Sequence, residues 1–326
     1  MSSLVTGAGG FVGQWLIRAL LGRGEEVTGF TLGPPARIGV LSSRQSDSVK
    51  WCEGDIRDPE AIADVLYRAS PRSIYHLAGV TFVPAAGEDP TATYDVNTMG
   101  VVRLLAALAR FQKSAKAACR VLVIGSGEQY GQHDEREYPL PETAAQRPMT
   151  VYAASKTAQE VIALQTARAF GLEVVATRSF NHSGPGQDGR FLLPGLVRRI
   201  KMLRLSGEGR FPVGNTTSIR DFLHVGDVVR AYIALMERGV SGEVYNVSSG
   251  EGRAVADIIE RVLRISGVRA TPEQDESLVR PIDVKQVVGD NTKLRKTTGW
   301  KPERSIDDII SDLWNAPDPL SASDVS

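Results

Sequence analysis

The sequence predicts an α/β fold, a doubly wound parallel sheet carrying a smaller C-terminal substrate domain. Short apolar runs alternate with helical-period segments through the first half of the chain. A glycine-rich turn joins the first run to the first helical segment. After about residue 180 the alternation gives way to polar, glycine-rich stretches. Strands separated by helices of this length require right-handed βαβ crossovers, hence a parallel sheet.

Taken in order, Ser3–Thr6 reads as a strand cut short by glycines, and Phe11–Leu21 as a helix. Strands follow at Glu26–Leu32 and Ser48–Cys52, a helix at Ile62–Arg68 and a strand at Ser73–Leu77. Asn97–Arg110 is a long amphipathic helix, Arg120–Ile124 a strand, Ala153–Phe170 a helix and Glu173–Arg178 a strand. Residues 1–180 thus form the dinucleotide-binding domain. Residues 181–316 form mainly the substrate domain, with short strands such as Gly242–Val247. Asp221–Glu237 reads as a helix returning to the first domain, a return segment near 221–238, and the polar stretch 317–326 as a flexible tail.

Composition narrows the function. Lys plus Arg equals Asp plus Glu, 38 each, so no basic field draws nucleic acid or an anionic membrane. An anionic small molecule must then be met by individually placed arginines. Cys52 and Cys119 show no Cys-x-x-Cys spacing, and the four histidines are scattered. Neither a disulfide framework nor a metal site is expected. The first residues carry no charged stretch ahead of an apolar run, and no stretch approaches the roughly 20 apolar residues of a membrane span. A cytoplasmic location is expected.

Gly7-Ala8-Gly9-Gly10-Phe11-Val12-Gly13 stands between a strand and a helix, the context that makes such a loop a Rossmann dinucleotide site. Gly7 permits the turn, Gly10 lets the backbone approach a pyrophosphate, and Gly13 lets the helix close on the sheet; Phe11 and Val12 open that helix. The second strand should end in the residue that reads the adenosine ribose. It ends in Thr31-Leu32, without an acid, and Arg37 and Arg44 follow. NADP(H) is favoured on this basis, with NAD(H) the alternative. Asp55 and Ile56 lie just past the third strand, where adenine would sit, with a plain loop the alternative for Asp55. Leu77, Ala78 and Gly79 end the fourth strand with small residues that let a cofactor pass.

Tyr152 and Lys156 are four apart on one helical face. Ketone reduction needs a proton donor at the carbonyl oxygen, and a tyrosine serves at neutral pH when a nearby ammonium lowers its pKa. Lys156 is expected to supply that charge. Ser126, just past the fifth strand, can share the substrate oxygen.

With these motifs and the segments His76–Gly79, Asn97, Arg178-Ser179-Phe180-Asn181-His182-Ser183-Gly184-Pro185-Gly186-Gln187 and Arg220-Asp221-Phe222, the chain resembles the extended short-chain dehydrogenase/reductases over nearly its full length. It is most similar to the branch of GDP-mannose 4,6-dehydratases and GDP-6-deoxy-4-keto-mannose reductases. The resemblance implies a nucleotide-diphospho-sugar substrate, with guanine inferred from similarity alone. It places Asn181 at the sugar diphosphate, Arg220 at the phosphates, and Arg280 with Asp283 at the nucleoside. It sets Arg178 beside the cofactor and Val83 beside the substrate. It also implies a homodimer through the two long helices. For Arg220, a structural ion pair with Asp221 or another acid is the competing reading.

A dehydratase of this type needs a proton donor and then a carboxylate base directly after the catalytic hydroxyl residue. The chain has Gly127 and then Glu128. The expected reaction is therefore reduction of a C4 ketone, GDP-4-keto-6-deoxy-mannose to GDP-rhamnose, with Gly127 leaving room for the sugar. Glu128 keeps a GDP-mannose 4,6-dehydratase or a bifunctional enzyme as the alternative, followed by a 4-epimerase. The intact Ser126/Tyr152/Lys156 set argues against a non-catalytic sensor.

Overall fold

The computed structural model describes residues 1–206, 209–279 and 282–317. Arg280 and residues 318–326 of the expected tail lie outside the described residues.

Thirteen strands are present among the described residues: β1 (Ser2–Thr6), β2 (Glu26–Thr31), β3 (Lys50–Glu53), β4 (Ser73–His76), β5 (Arg120–Ser126), β6 (Glu173–Ser179), β7 (Asn181–Ser183), β8 (Arg210–Val213), β9 (Ile219–His224), β10 (Val244–Val247), β11 (Gly252–Ala254), β12 (Thr271–Gln274) and β13 (Gln286–Val287). Seven form one parallel sheet in the order β10-β6-β5-β4-β1-β2-β3. The chain winds outward from β1 through β3, then returns beside β1 as β4 and winds the other way. That reversal opens a crevice between the C-terminal ends of β1 and β4, where ligands of such sheets bind.

Apolar residues on the sheet's strands are buried against helices in two clusters. The helices Phe11–Gly22 and Val225–Arg238 share one with Val5, Val175 and Val247. Pro59–Ala69, Gly100–Ala115 and Val151–Phe170 share the other with Leu4, Ile74 and Val121. A separate cluster joins the helices Leu192–Ser206, Val255–Ser266 and Ile306–Asn315. Beside it stands a small sheet in which β9 pairs with β7, β11 and β13.

Two segments differ from expectation. Asp221–Glu237 is not one helix: Ile219–His224 is strand β9, and the helix begins at Val225. Asp221 explains the break. Its fully buried carboxylate accepts hydrogen bonds from Ser249 N (2.8 Å), Ser249 Oγ (2.6 Å), Gly250 N (3.0 Å) and Gly289 N (3.4 Å). These partners arrive from segments distant in sequence, so helical periodicity near Asp221 loses to tertiary pairing. Burial pushes the Asp221 carboxyl up to about 6, against the pull of those donors. Within Gly242–Val247, Val244–Val247 is β10 and closes the edge of the large sheet against β6.

Candidate active site

A cavity of about 1180 Å³ runs from the glycine loop across the ends of the central strands to the face of the C-terminal domain. At one end, Gly7 has φ +66°, and a Cβ there would lie 2.8 Å from Ala78 N, so the loop and the exit of β4 touch through bare backbone. A Cβ on Gly13 would lie 2.5 Å from Gly7 O, which is why the helix can close on the turn. The helix Phe11–Gly22 begins at Gly10 without a side-chain cap and without an acid in its first turn. Its first N–H groups and positive dipole end therefore remain available to a diphosphate. Gly7, Gly10, Phe11, Val12, Gly13, Ile56, Leu77, Ala78 and Gly79 all line the cavity, a wall that fits a dinucleotide.

Asp55 also lines it, beside Arg57. The Arg57 guanidinium (Nη2–Oδ2 2.6 Å) holds the Asp55 carboxyl below the usual carboxylate range. Arg57, rather than Arg37 or Arg44, is thus the guanidinium on this wall. Arg37 is exposed and stands outside the cavity, between the lining residues Ala36 and Ile38, whose loop is tied to Gln14 Nε2 through Ala36 O (2.6 Å). Arg44 is exposed and also outside.

In the centre, Ser126, Glu128, Tyr152 and Lys156 face the cavity together. Ser126 caps a 3₁₀ turn, Gly127–Tyr130, where its Oγ accepts from Glu128 N at 3.2 Å, and its hydroxyl also hydrogen-bonds Tyr152. The 20-residue helix Val151–Phe170, capped by Thr150, presents Tyr152 and Lys156 on one face. Lys156 Nζ donates to Ile124 O and Gln159 Oε1, both at 2.9 Å, and its burial lowers its pKa to about 8. Burial pushes Tyr152 up to about 12; the Ser126 hydrogen bond opposes this and the Glu128 charge adds to it. The expected lowering of the Tyr152 pKa by Lys156 is therefore corrected. Lys156 Nζ is held by the neutral oxygens of Ile124 and Gln159, and burial keeps Tyr152 protonated through the neutral range. Gly79 must be bare here, since a Cβ would lie 2.8 Å from Asn97 Oδ1. Buried Asn97 clamps Val80 at both its N (2.7 Å) and O (3.1 Å) and reaches Ser155 Oγ (2.9 Å), joining the exit of β4 to the catalytic helix.

Two sequence expectations give way. Arg178 does not reach the cavity: it is buried in a fork on Glu160 (Nε–Oε2 2.9 Å, Nη2–Oε1 2.7 Å) and lies over the Tyr130 ring. Gly127 does not make room for a sugar. A Cβ there would meet the Phe180 ring, 2.9 Å from Cδ1, and on its other side the same ring abuts Gly289.

Toward the C-terminal domain, Val83, Asn181, Arg220 and Asp283 line the cavity. Arg220 pairs with Asp283 (2.5 Å), not with Asp221, and Asp283 also accepts from Asn215 Nδ2 (2.7 Å). The mouth is bridged by residues the sequence reading missed: Phe82 and Phe191 meet edge-on at 5.7 Å, with Arg190 over Phe82. Tyr232 was also missed; it is fully buried, bonded to Ser179 Oγ at 2.8 Å and close to Tyr152. No local motif marks these residues. No group of His, Cys, Asp and Glu among the described residues could hold a metal ion, and no described helix is long and apolar enough to cross a membrane.

Two outcomes follow from this geometry. Gly127→Asp forces Phe180 out of its slot, so the denaturant midpoint should fall by the equivalent of about 1–3 kcal/mol, the usual cost of overpacking; an unchanged midpoint contradicts the wedge. If turnover needs the Lys156 ammonium, kcat/KM for carbonyl reduction is full below about pH 8 and is lost as pH rises through that value. Lys156→Arg should carry that limb upward, and a profile flat to pH 10 contradicts the requirement.

The family model described as GDP-mannose 4,6 dehydratase matches residues 4–313. The chain is 37% identical to GDP-6-deoxy-D-mannose reductase of Pseudomonas aeruginosa, across 79% of this chain and 85% of that protein. Its fold is similar to the structure of RMD from Pseudomonas aeruginosa complexed with NADPH, with TM-score 0.80 and 33% identity over 96% of this chain and 98% of that one. It is also similar to UDP-glucose 4-epimerase of Thermotoga maritima bound to UDP-glucose, with TM-score 0.85 and 25% identity over 96% and 97% of the two chains. A glycine-loop wall, a Ser126/Tyr152/Lys156 centre and a match covering nearly the whole chain lead to one assignment: this protein belongs to the GDP-mannose 4,6-dehydratase family of extended short-chain dehydrogenase/reductases.

Proposed function

We propose that this protein reduces the C4 ketone of a nucleotide-diphospho-6-deoxy-4-keto-hexose, converting GDP-4-keto-6-deoxy-mannose to GDP-rhamnose with NADPH. The observation that carries the reading is Gly127 facing Phe180. A 4,6-dehydratase must protonate the departing C6 hydroxyl, and the position between Ser126 and Glu128 has neither a side chain nor a direction into the cavity from which to do so. The identity to a GDP-6-deoxy-D-mannose reductase supports the same choice.

When bound, the nicotinamide supplies hydride to C4. Tyr152, protonated through neutral pH, delivers the proton to the carbonyl oxygen as negative charge develops there. Ser126, held beside Tyr152 by their hydrogen bond and by Glu128 N, donates its hydroxyl proton to that oxygen when the ketone is bound. Lys156 holds positive charge beneath the site, which favours the developing anion. Arg220 and Asn181 take the diphosphate; Arg220 is pre-oriented by Asp283, whose carboxylate also fixes Asn215. Arg280 and Asp283 serve the nucleoside end.

NADP(H) is favoured over NAD(H), because β2 ends without an acid to hold a ribose 2′-hydroxyl and Arg57 stands on the adenosine-side wall. Two copies pair through the helices Gly100–Ala115 and Val151–Phe170, a pairing supported by exposed Met99, Val161 and Phe170 on and beside them. The reaction is placed in the cytoplasm, where nucleotide-sugars and NADPH meet.

The test is product analysis in heavy water. With GDP-4-keto-6-deoxy-mannose, one NADPH should be consumed per sugar reduced, NADPH should outperform NADH, and no solvent deuterium should enter C5. Glu128→Gln should keep most of this activity. Conversion of GDP-mannose with C5 exchange that Glu128→Gln abolishes would establish a dehydratase instead. Interconversion of C4 epimers without net NADPH use would establish an epimerase.

A further inference from the structure

The 3₁₀ turn after β5 buries an amide that the reaction itself does not use. Gln129 is fully buried. Its Oε1 accepts from Ser126 N at 2.7 Å, and its Nε2 donates to Glu160 Oε2 at 2.8 Å and to Gln146 Oε1 at 3.1 Å. Glu160 also receives Arg178 Nε (2.9 Å), Arg178 Nη2 (2.7 Å) and Gln146 Nε2 (2.7 Å).

The orientation of the Gln129 amide follows from its neighbours. An ionised carboxylate only accepts and a backbone N–H only donates, so flipping the amide would set acceptor against acceptor and donor against donor. Glu160 lies eight residues beyond Tyr152, on the face shared by Tyr152 and Lys156. Gln129 is thus a strut of fixed length, with one end on the helix that carries Tyr152 and the other on the backbone of Ser126. Gly125 is bare for the same reason: a Cβ there would collide with Gln129 Oε1 and Thr177 O. The strut also ties down the approach to the catalytic helix, because Arg147 N donates to Gln129 O at 3.0 Å.

We propose that Gln129 is a positioning residue, which sets the distance between the Ser126 hydroxyl and the Tyr152 hydroxyl by holding Ser126 N against the Glu160–Arg178 pair. The arrangement leaves Ser126 little freedom, and a shift of about 1 Å at a reacting group costs on the order of 100-fold in rate. The kinetic consequence rests on the proposed roles of Ser126 and Tyr152; the anchor itself does not.

The test uses the full chain and two readouts. In the absence of substrate, Gln129→Met should accelerate amide hydrogen exchange within 120–131 and leave the helix Val151–Phe170 protected. With whichever nucleotide-sugar the unmodified enzyme turns over, kcat should fall by about tenfold or more while KM stays near native. In a Ser126→Ala background the same substitution should change kcat less than about twofold, since the group being positioned is gone. Should Gln129→Met fail to fold, Gln129→Glu keeps an oxygen toward Ser126 but sets two carboxylates together. Its kcat relative to native should then recover as pH falls and a proton bridges the pair. Unchanged exchange in 120–131, or native kcat in the methionine variant, would overturn the proposal. So would an equal loss of kcat with and without the Ser126 hydroxyl, or a glutamate variant indifferent to pH.

Discussion

The Phe180 ring, held between the bare backbones of Gly127 and Gly289, is the constraint around which the site is organised. The ring leaves the end of β6 almost fully buried and tilts against Tyr130 at 6.0 Å. Gly289 reaches it because Asp221, buried on β9, draws in the backbone of Gly289 together with Ser249 and Gly250. Leu140 then binds Val288 through its backbone, so a loop of the first domain and a segment of the second are closed on the same ring. The same packing leaves no room for a side chain at Gly127, beside Ser126.

Beneath that contact lies a polar floor. Arg178 and Glu160 are both nearly inaccessible, and their fork is completed by Gln129, Gln146 and the carbonyl of Glu142. Removing one partner of such a buried pair strands a charge, at a cost of about 3–5 kcal/mol. Whatever its net contribution to stability, the pair has directional partners that an apolar replacement would lack. It also joins three elements: the end of β5, the end of β6 and the helix that carries Tyr152 and Lys156.

The parts of the molecule legible in the sequence are those whose signal is local. Gly7 to Gly13 lies between a strand and a helix within a dozen residues, and Tyr152 and Lys156 share a face by helical periodicity alone. The same periodicity, extended over Asp221–Glu237, misled at β9, because the strand is made by partners from β7, β11 and β13 that no local window contains. Arg178 illustrates a second limit. A basic residue at the end of a strand resembles a ligand contact until its buried acid, 18 residues earlier, is seen to claim both arms of the guanidinium. Glu160 could have been found, since it continues the Tyr152/Lys156 face by one further turn. Gly127 marks the third limit: a missing side chain does not say which neighbour requires its absence. Arg57, in the same short segment as Asp55, lines the cavity, whereas Arg37, closer in sequence to β2, is exposed and is not among the lining residues.

In the proposed reaction the ketone at C4 is reduced by direct hydride delivery, with Tyr152 supplying the proton and no elimination at C5 and C6. Carrying the label in the hydride tests this most directly. NADPH bearing deuterium at the transferred position of its nicotinamide is incubated with GDP-4-keto-6-deoxy-mannose in ordinary water, and the product is read by NMR. The account predicts one deuterium at C4 of the hexose and none at C5 or C6. Deuterium at C6, or product formed with the label still on the nicotinamide, would contradict it.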